Sequence, residues 1–127
     1  MGIRCRARTL TALTGAVLAA GCTHPGTPVP SKQADKLDVA TSRISVACGY
    51  AEELRATGGP EPMGLVWIES IAVSGAQKLA LVYAREQSQI YQGESVGAIV
   101  GDSISLLGDC RLPEARRVLE RALREHH

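Results

Sequence analysis

Leu37, Ile44 and Ala51 recur every seven residues, and Ala40, Ala47 and Leu54 repeat between them at the same interval. Steps of three and four return to one side of an α-helix, so residues 31–56 are predicted to form one amphipathic helix. Ser31 can cap its start, and Thr57-Gly58-Gly59-Pro60 ends it. The stripe is narrow and built of small side chains. It suits close antiparallel packing in a bundle.

The rest of the chain must complete that bundle without large rings. Only 3% of the 127 residues are aromatic and none is Phe, although 45% are hydrophobic. A core of Ala, Val, Leu and Ile favours packed helices over a sheet, whose strands prefer aromatic and β-branched residues. Pro60-Glu61-Pro62 opens a second segment, expected to run to about Tyr91. Leu65, Ile68, Ala72, Ala76, Leu79 and Tyr83 line one side of it, widened by Ile71 and Val82, and so broad an arc predicts the most buried helix. Residues 65–68 could instead start as a strand, but no partner strand is evident.

Gly93 breaks the chain, and residues 94–107 are predicted to form a third helix with Val96, Ile99, Val100, Ile104 and Leu107 inward. Gly93, Gly97 and Gly101 recur every four residues. An interior glycine costs about 1 kcal/mol relative to alanine, so the row is expected to admit close approach by a neighbouring helix. Within the domain or between two copies such packing looks alike in sequence; packing within the domain is expected. Pro113 begins the last helix, with Ala115, Val118, Leu119, Ala122 and Leu123 inward. Its outer side mixes Arg116, Arg117, Arg121 and Arg124 with Glu114, Glu120 and Glu125. Arg116 with Glu120 and Glu120 with Arg124 are spaced for pairing. The fold expected is all-α: a small antiparallel bundle of about four helices.

Upstream lies a different kind of sequence. Residues 1–8 carry Arg4, Arg6 and Arg8, residues 9–18 form a short apolar run, and Leu18-Ala19-Ala20-Gly21-Cys22 follows. A charged start before an apolar run of this length is a secretory signal, too short to span a bilayer. The stretch resembles the lipobox of bacterial lipoproteins, departing from it in having Ala19 at the third position before the cysteine and the usual Leu one place earlier. The resemblance covers residues 1–22. It implies that a diacylglyceryl group is attached to the Cys22 sulfur, that signal peptidase II cuts before it, and that the protein is anchored at the cell membrane on its extracytoplasmic side. Two acyl chains give stable attachment where one does not.

Residues 1–21 are then leader, residues 22–31 a lipidated cysteine with a tether rich in proline (Pro25, Pro28, Pro30), and residues 32–127 the helical domain. Proline favours extended backbone, so the tether is expected to lift the domain off the membrane. Processing removes three of the 14 basic residues, leaving 11 against 13 acidic ones. That balance is not a nucleic-acid binder's.

Of four cysteines, Cys5 leaves with the leader and Cys22 takes lipid. Cys48 and Cys110 remain, in a compartment that permits oxidation. A bond between them closes a loop of 62 residues, which in the chain-entropy model contributes about 4 kcal/mol. No Cys-x-x-Cys spacing or zinc ligand set is present.

No nucleophile-and-base arrangement or phosphate loop is recognisable, and the histidines are His24 in the tether and His126 and His127 at the end. Neither enzyme activity nor a cofactor is expected. Two residues break the pattern of the second helix. Glu69 falls among its apolar side, implying a solvated helix start or burial against Arg43 or Arg55. Trp67 falls opposite, as an anchor for a partner or packed against a loop. With Trp67, Arg117 and Arg121 are candidate partner-binding residues, the arginines belonging to a basic strip that could meet anionic lipid headgroups. The function expected is an envelope accessory domain that binds another protein. The alternatives are a carrier holding an apolar ligand between helices and, by analogy alone, a phage-type exclusion lipoprotein. Replacing Cys22 with Ser is expected to move the protein out of the membrane fraction, as read by fractionation and immunoblotting.

Overall fold

A computed structural model describes residues 27–57 and 62–126. The leader, Cys22, His24, residues 58–61 and His127 lie outside the described residues. Helix α1 is Ser31–Ala56, α2 Pro62–Glu86, α3 Val96–Asp109 and α4 Pro113–His126, with strands β1 Ile90–Tyr91 and β2 Glu94–Ser95 between α2 and α3. The fold is an all-α bundle of four helices stapled by one disulfide. Successive helices reverse direction, so α2 and α4 run the same way. They lie side by side, with α1 on the other flank of α2 and α3 packed against all three.

The periodicities place the core correctly. Leu37, Ala40, Ile44, Ala47 and Ala51 of α1 are buried against Ile68, Ala72, Ala76, Leu79, Val82 and Tyr83 of α2 and the inner sides of α3 and α4. Tyr83 is the one buried aromatic residue among those described. Small side chains let the first two helices touch backbone to side chain. A Cβ added at Gly75 would lie 2.8 Å from the Ala40 carbonyl oxygen and 3.0 Å from the Arg43 Cβ.

The expected glycine row does not do this. Gly101 meets nothing within 4 Å, Gly97 has only ordinary contacts with Tyr83 and Gln87, and Gly93 sits in a turn at φ +85°. Period-four spacing on α3 is therefore not a helix seam among the described residues. The single glycine at the real crossing has no partner in sequence to mark it.

Helix α2 stops at Glu86 rather than near Tyr91. Ile90 pairs with Ser95 and Tyr91 with Glu94 in an antiparallel hairpin. Gln92 (φ 51°) and Gly93 both adopt left-handed backbone, the two-residue primed turn whose twist matches a hairpin. Ser95 thereby becomes the cap of α3, its Oγ accepting the Ala98 N–H at 3.1 Å. The start of α1 also differs from expectation: Ser31 is the first helical residue, and Pro30 before it offers no side-chain cap. The tether is partly docked. Val29 N–H donates to the Ile90 carbonyl and Ile90 N–H to that of Thr27, so Pro28 lies parallel to β1.

The corner between α3 and α4 is held from three directions. Arg111, at φ 58°, turns the chain, with Leu112 N–H reaching the Leu107 carbonyl and Arg111 N–H that of Gly108. This is a Schellman ending with arginine at the position usually given to glycine, and buried Leu107 and Leu112 supply its apolar contact. Cys110 at that corner is bonded to Cys48 of α1. Arg55 of α1 donates to the carbonyls of Cys110 and Arg111. Buried Leu112 precedes Pro113 and cannot cap α4, so Glu69 of α2 does so, accepting the Glu114 N–H at 2.5 Å. Neither sequence expectation for Glu69 holds: it is half-buried, Arg43 binds Ser74, and Arg55 is used at the corner.

Gly75→Ala is expected to destabilise the fold by about 1–3 kcal/mol through overpacking against backbone. Gly101→Ala, in open space within a helix, is expected to stabilise it by about 1 kcal/mol. Urea unfolding followed by circular dichroism measures both.

Candidate functional site

The covered side of α2 is narrower than its apolar arc, and the remainder faces outward. From Val66 to Leu81 every exposed residue of this helix is uncharged: Val66, Trp67, Ser70, Gln77 and Leu81. Trp67 is 64% exposed and Leu81 69%, so α2 is central without being wholly interior. Within Gly64–Glu86 a window of 18 residues has mean hydropathy 1.4, and one third of that window is buried. By length and composition alone it could cross a membrane; in the fold, α1 and α4 run along its two sides. Of the seven exposed large hydrophobic residues among those described, Val39, Val46 and Tyr50 of α1 and Val66, Trp67 and Leu81 of α2 make up six.

Cationic rows border this strip. On the α1 side, Arg43 Nη1 donates to Ser74 Oγ at 2.6 Å. Lys36, Arg43 and Tyr50, spaced by seven, therefore run along the α2 boundary. Beyond Arg43, Tyr50 and Leu54 share a groove of about 500 Å³ with Trp67 and Ile68, and Glu53 lies at its edge. On the α4 side, Glu114 shares a groove of about 470 Å³ with Val66, Val73 and Gln77. Arg117 donates to Glu114 at 2.8 Å, and the positions 114, 117 and 121 form one row along α4. The opposite flank of α4 carries the expected Arg116–Glu120 pair at 3.1 Å; Glu120 and Arg124 do not pair.

The structure thus places Trp67 in a groove toward α1, and Arg117 and Arg121 along α4. They border one outer surface from opposite sides and share no pocket. The sequence reading missed the α1 members, Val39, Val46 and Tyr50, and the outward Val66 and Leu81. Their signal was available on α2, where an unbroken run of uncharged residues follows the outer side for more than four turns.

A second cleft, about 250 Å³, opens between α1, α3 and the hairpin, where Thr41, Ser45 and Ser103 meet Tyr91, Glu94 and Asp102. Ser103 is buried. Among the described residues no three His, Cys, Asp or Glu side chains converge as a metal site would require. The His126 carbonyl accepts from the Gln87 side chain.

No family model matches this sequence, and no curated protein and no solved structure matches it. Because Trp67 and Leu81 face outward, Trp67→Ala and Leu81→Ala are each expected to change stability by no more than about 0.5 kcal/mol. Leu79→Ala, in the core between them, is expected to cost about 2–5 kcal/mol. Thermal unfolding of the three variants checks this.

Proposed function

We propose that this chain is a lipid-anchored, extracytoplasmic accessory domain of the cell envelope that acts by contact and not by catalysis. The observation carrying this reading is the outer strip of α2, uncharged from Val66 to Leu81 and bordered by Lys36, Arg43, Arg117 and Arg121. Contiguous apolar surface with a polar rim characterises interaction sites, and amphipathic tryptophan is favoured there. Lipid on Cys22, implied by the lipobox resemblance, would hold that surface at the membrane.

The carrier alternative meets a steric objection. Between α1 and α2 the Ala40 carbonyl lies too near Gly75 for even a methyl group, so that seam has no room for a ligand. A photo-crosslinking residue placed at exposed Ser70, inside the strip, tests the contact reading against the same residue at Arg116, outside it. Irradiation of native membranes is expected to give a discrete adduct from position 70 and none from position 116. Equal labelling at both, or none at either, would count against a contact surface on α2.

A further inference from the structure

We infer that the outer face formed by α1, α2 and α4 rests on the lipid surface itself, with α2 lowermost. The inference deepens the contact reading above and relies on the anchor at Cys22, because it names what the strip touches. Three observations converge on it. Apolar residues and the two most amphipathic side chains, Trp67 and Tyr50, share that face with Val39, Val46, Val66 and Leu81. Tryptophan and tyrosine favour the boundary between headgroups and acyl chains, where one end of the ring is wet.

Cationic side chains also stand on both borders of the strip. Lys36 and Arg43 lie on one border of the strip, and Arg117 and Arg121 on the other. Lys36 and Arg121 have stems that can lie along apolar surface while their cationic heads reach a phosphate; Arg43 and Arg117 hold Ser74 and Glu114. The carboxylate between Val66 and Leu81 is that of Glu69, half-buried in the α4 groove and engaged by the Glu114 N–H. At the α4 border Glu114 is paired with Arg117, and exposed Glu125 stands four residues beyond Arg121 in the same row. Glu53, at the edge of the Trp67 groove, and Asp35, five turns earlier on the same side of α1, are exposed acids near the α1 border.

The third observation is reach. Val29 and Thr27 are hydrogen-bonded to Ile90, so the chain leaves the bundle at Thr27 beside the hairpin. Four residues lie between Cys22 and Thr27, and the five chain steps span at most about 17 Å at full extension. The lipidated end is therefore kept within less than one helix length of the body, since α2, at 25 residues, is roughly 37 Å long. A bundle held so closely can lie down on the bilayer and cannot stand far from it.

The chain's single tryptophan is Trp67, which makes it an internal probe. The lipidated protein, purified from membranes, is reconstituted into phosphatidylglycerol vesicles with and without brominated acyl chains. Trp67 emission is expected to shift to the blue and be strongly quenched by the brominated lipid. Raising the salt to about 1 M, where the Debye length is roughly 3 Å, should reverse much of both changes, as should Arg117→Gln combined with Arg121→Gln. Protein that floats with the vesicles while Trp67 emission stays water-like and unquenched would overturn the inference and leave the anchor intact. Protein that does not float at all would overturn the anchor as well. A crosslink from Ser70 to another polypeptide, together with unquenched Trp67, would assign the strip to a protein partner and sink the lipid reading alone.

Discussion

Where α1 crosses α2, the Ala40 carbonyl stands closer to residue 75 than any side chain could tolerate, and the shape of the molecule follows from that closeness. Alanines at 40, 47, 51, 72 and 76 fill the seam on either side. Helices packed through such small residues gain dispersion contact over a short distance. They remove little apolar area from water per residue, and burial stabilises by roughly 25 cal/mol per Å². The seam is tight, and modest in what it contributes.

A bundle with that kind of core needs its remaining elements held by other means, and the α3–α4 corner supplies them. The Cys48–Cys110 bond ties it to α1, the Arg55 guanidinium holds two carbonyls of the turn, and the Glu69 carboxylate satisfies the start of α4. Each interaction answers a local deficit. Carbonyls at a helix end have no partner within the helix, and the residue before Pro113 is a buried leucine that cannot cap. Covalent closure acts at the same point by limiting the unfolded chain.

Close packing also explains the outer face. With α1 and α2 drawn together through Gly75, helical phase leaves Val66, Trp67 and Leu81 on the side away from the core, between borders that carry long cationic side chains. Such a surface is costly for a domain free in solution and reasonable for one tethered to a membrane, which is the sense of the proposed contact with lipid. The polar cleft near Ser103 has hydroxyls and carboxylates but no comparable continuity.

Periodicity alone determined the four helices and most of their buried sides, because spacing along a helix is a property of the chain itself; the pairing of Cys48 with Cys110 followed from the resemblance at residues 1–22, which sets Cys5 and Cys22 aside. Periodicity also marked Trp67 as outward and Glu69 as anomalous. What Glu69 does was decided only in three dimensions, since its partner is a backbone N–H 45 residues away. The same holds for Gly75, whose role depends on the carbonyl of another helix, and for the hairpin at Gln92-Gly93, which cuts short a pattern that local apolarity would have continued. Tertiary structure alone set Lys36 and Arg43 on one side of α2 and Arg117 and Arg121 on the other, because which helices become neighbours is fixed by packing and not by order along the chain.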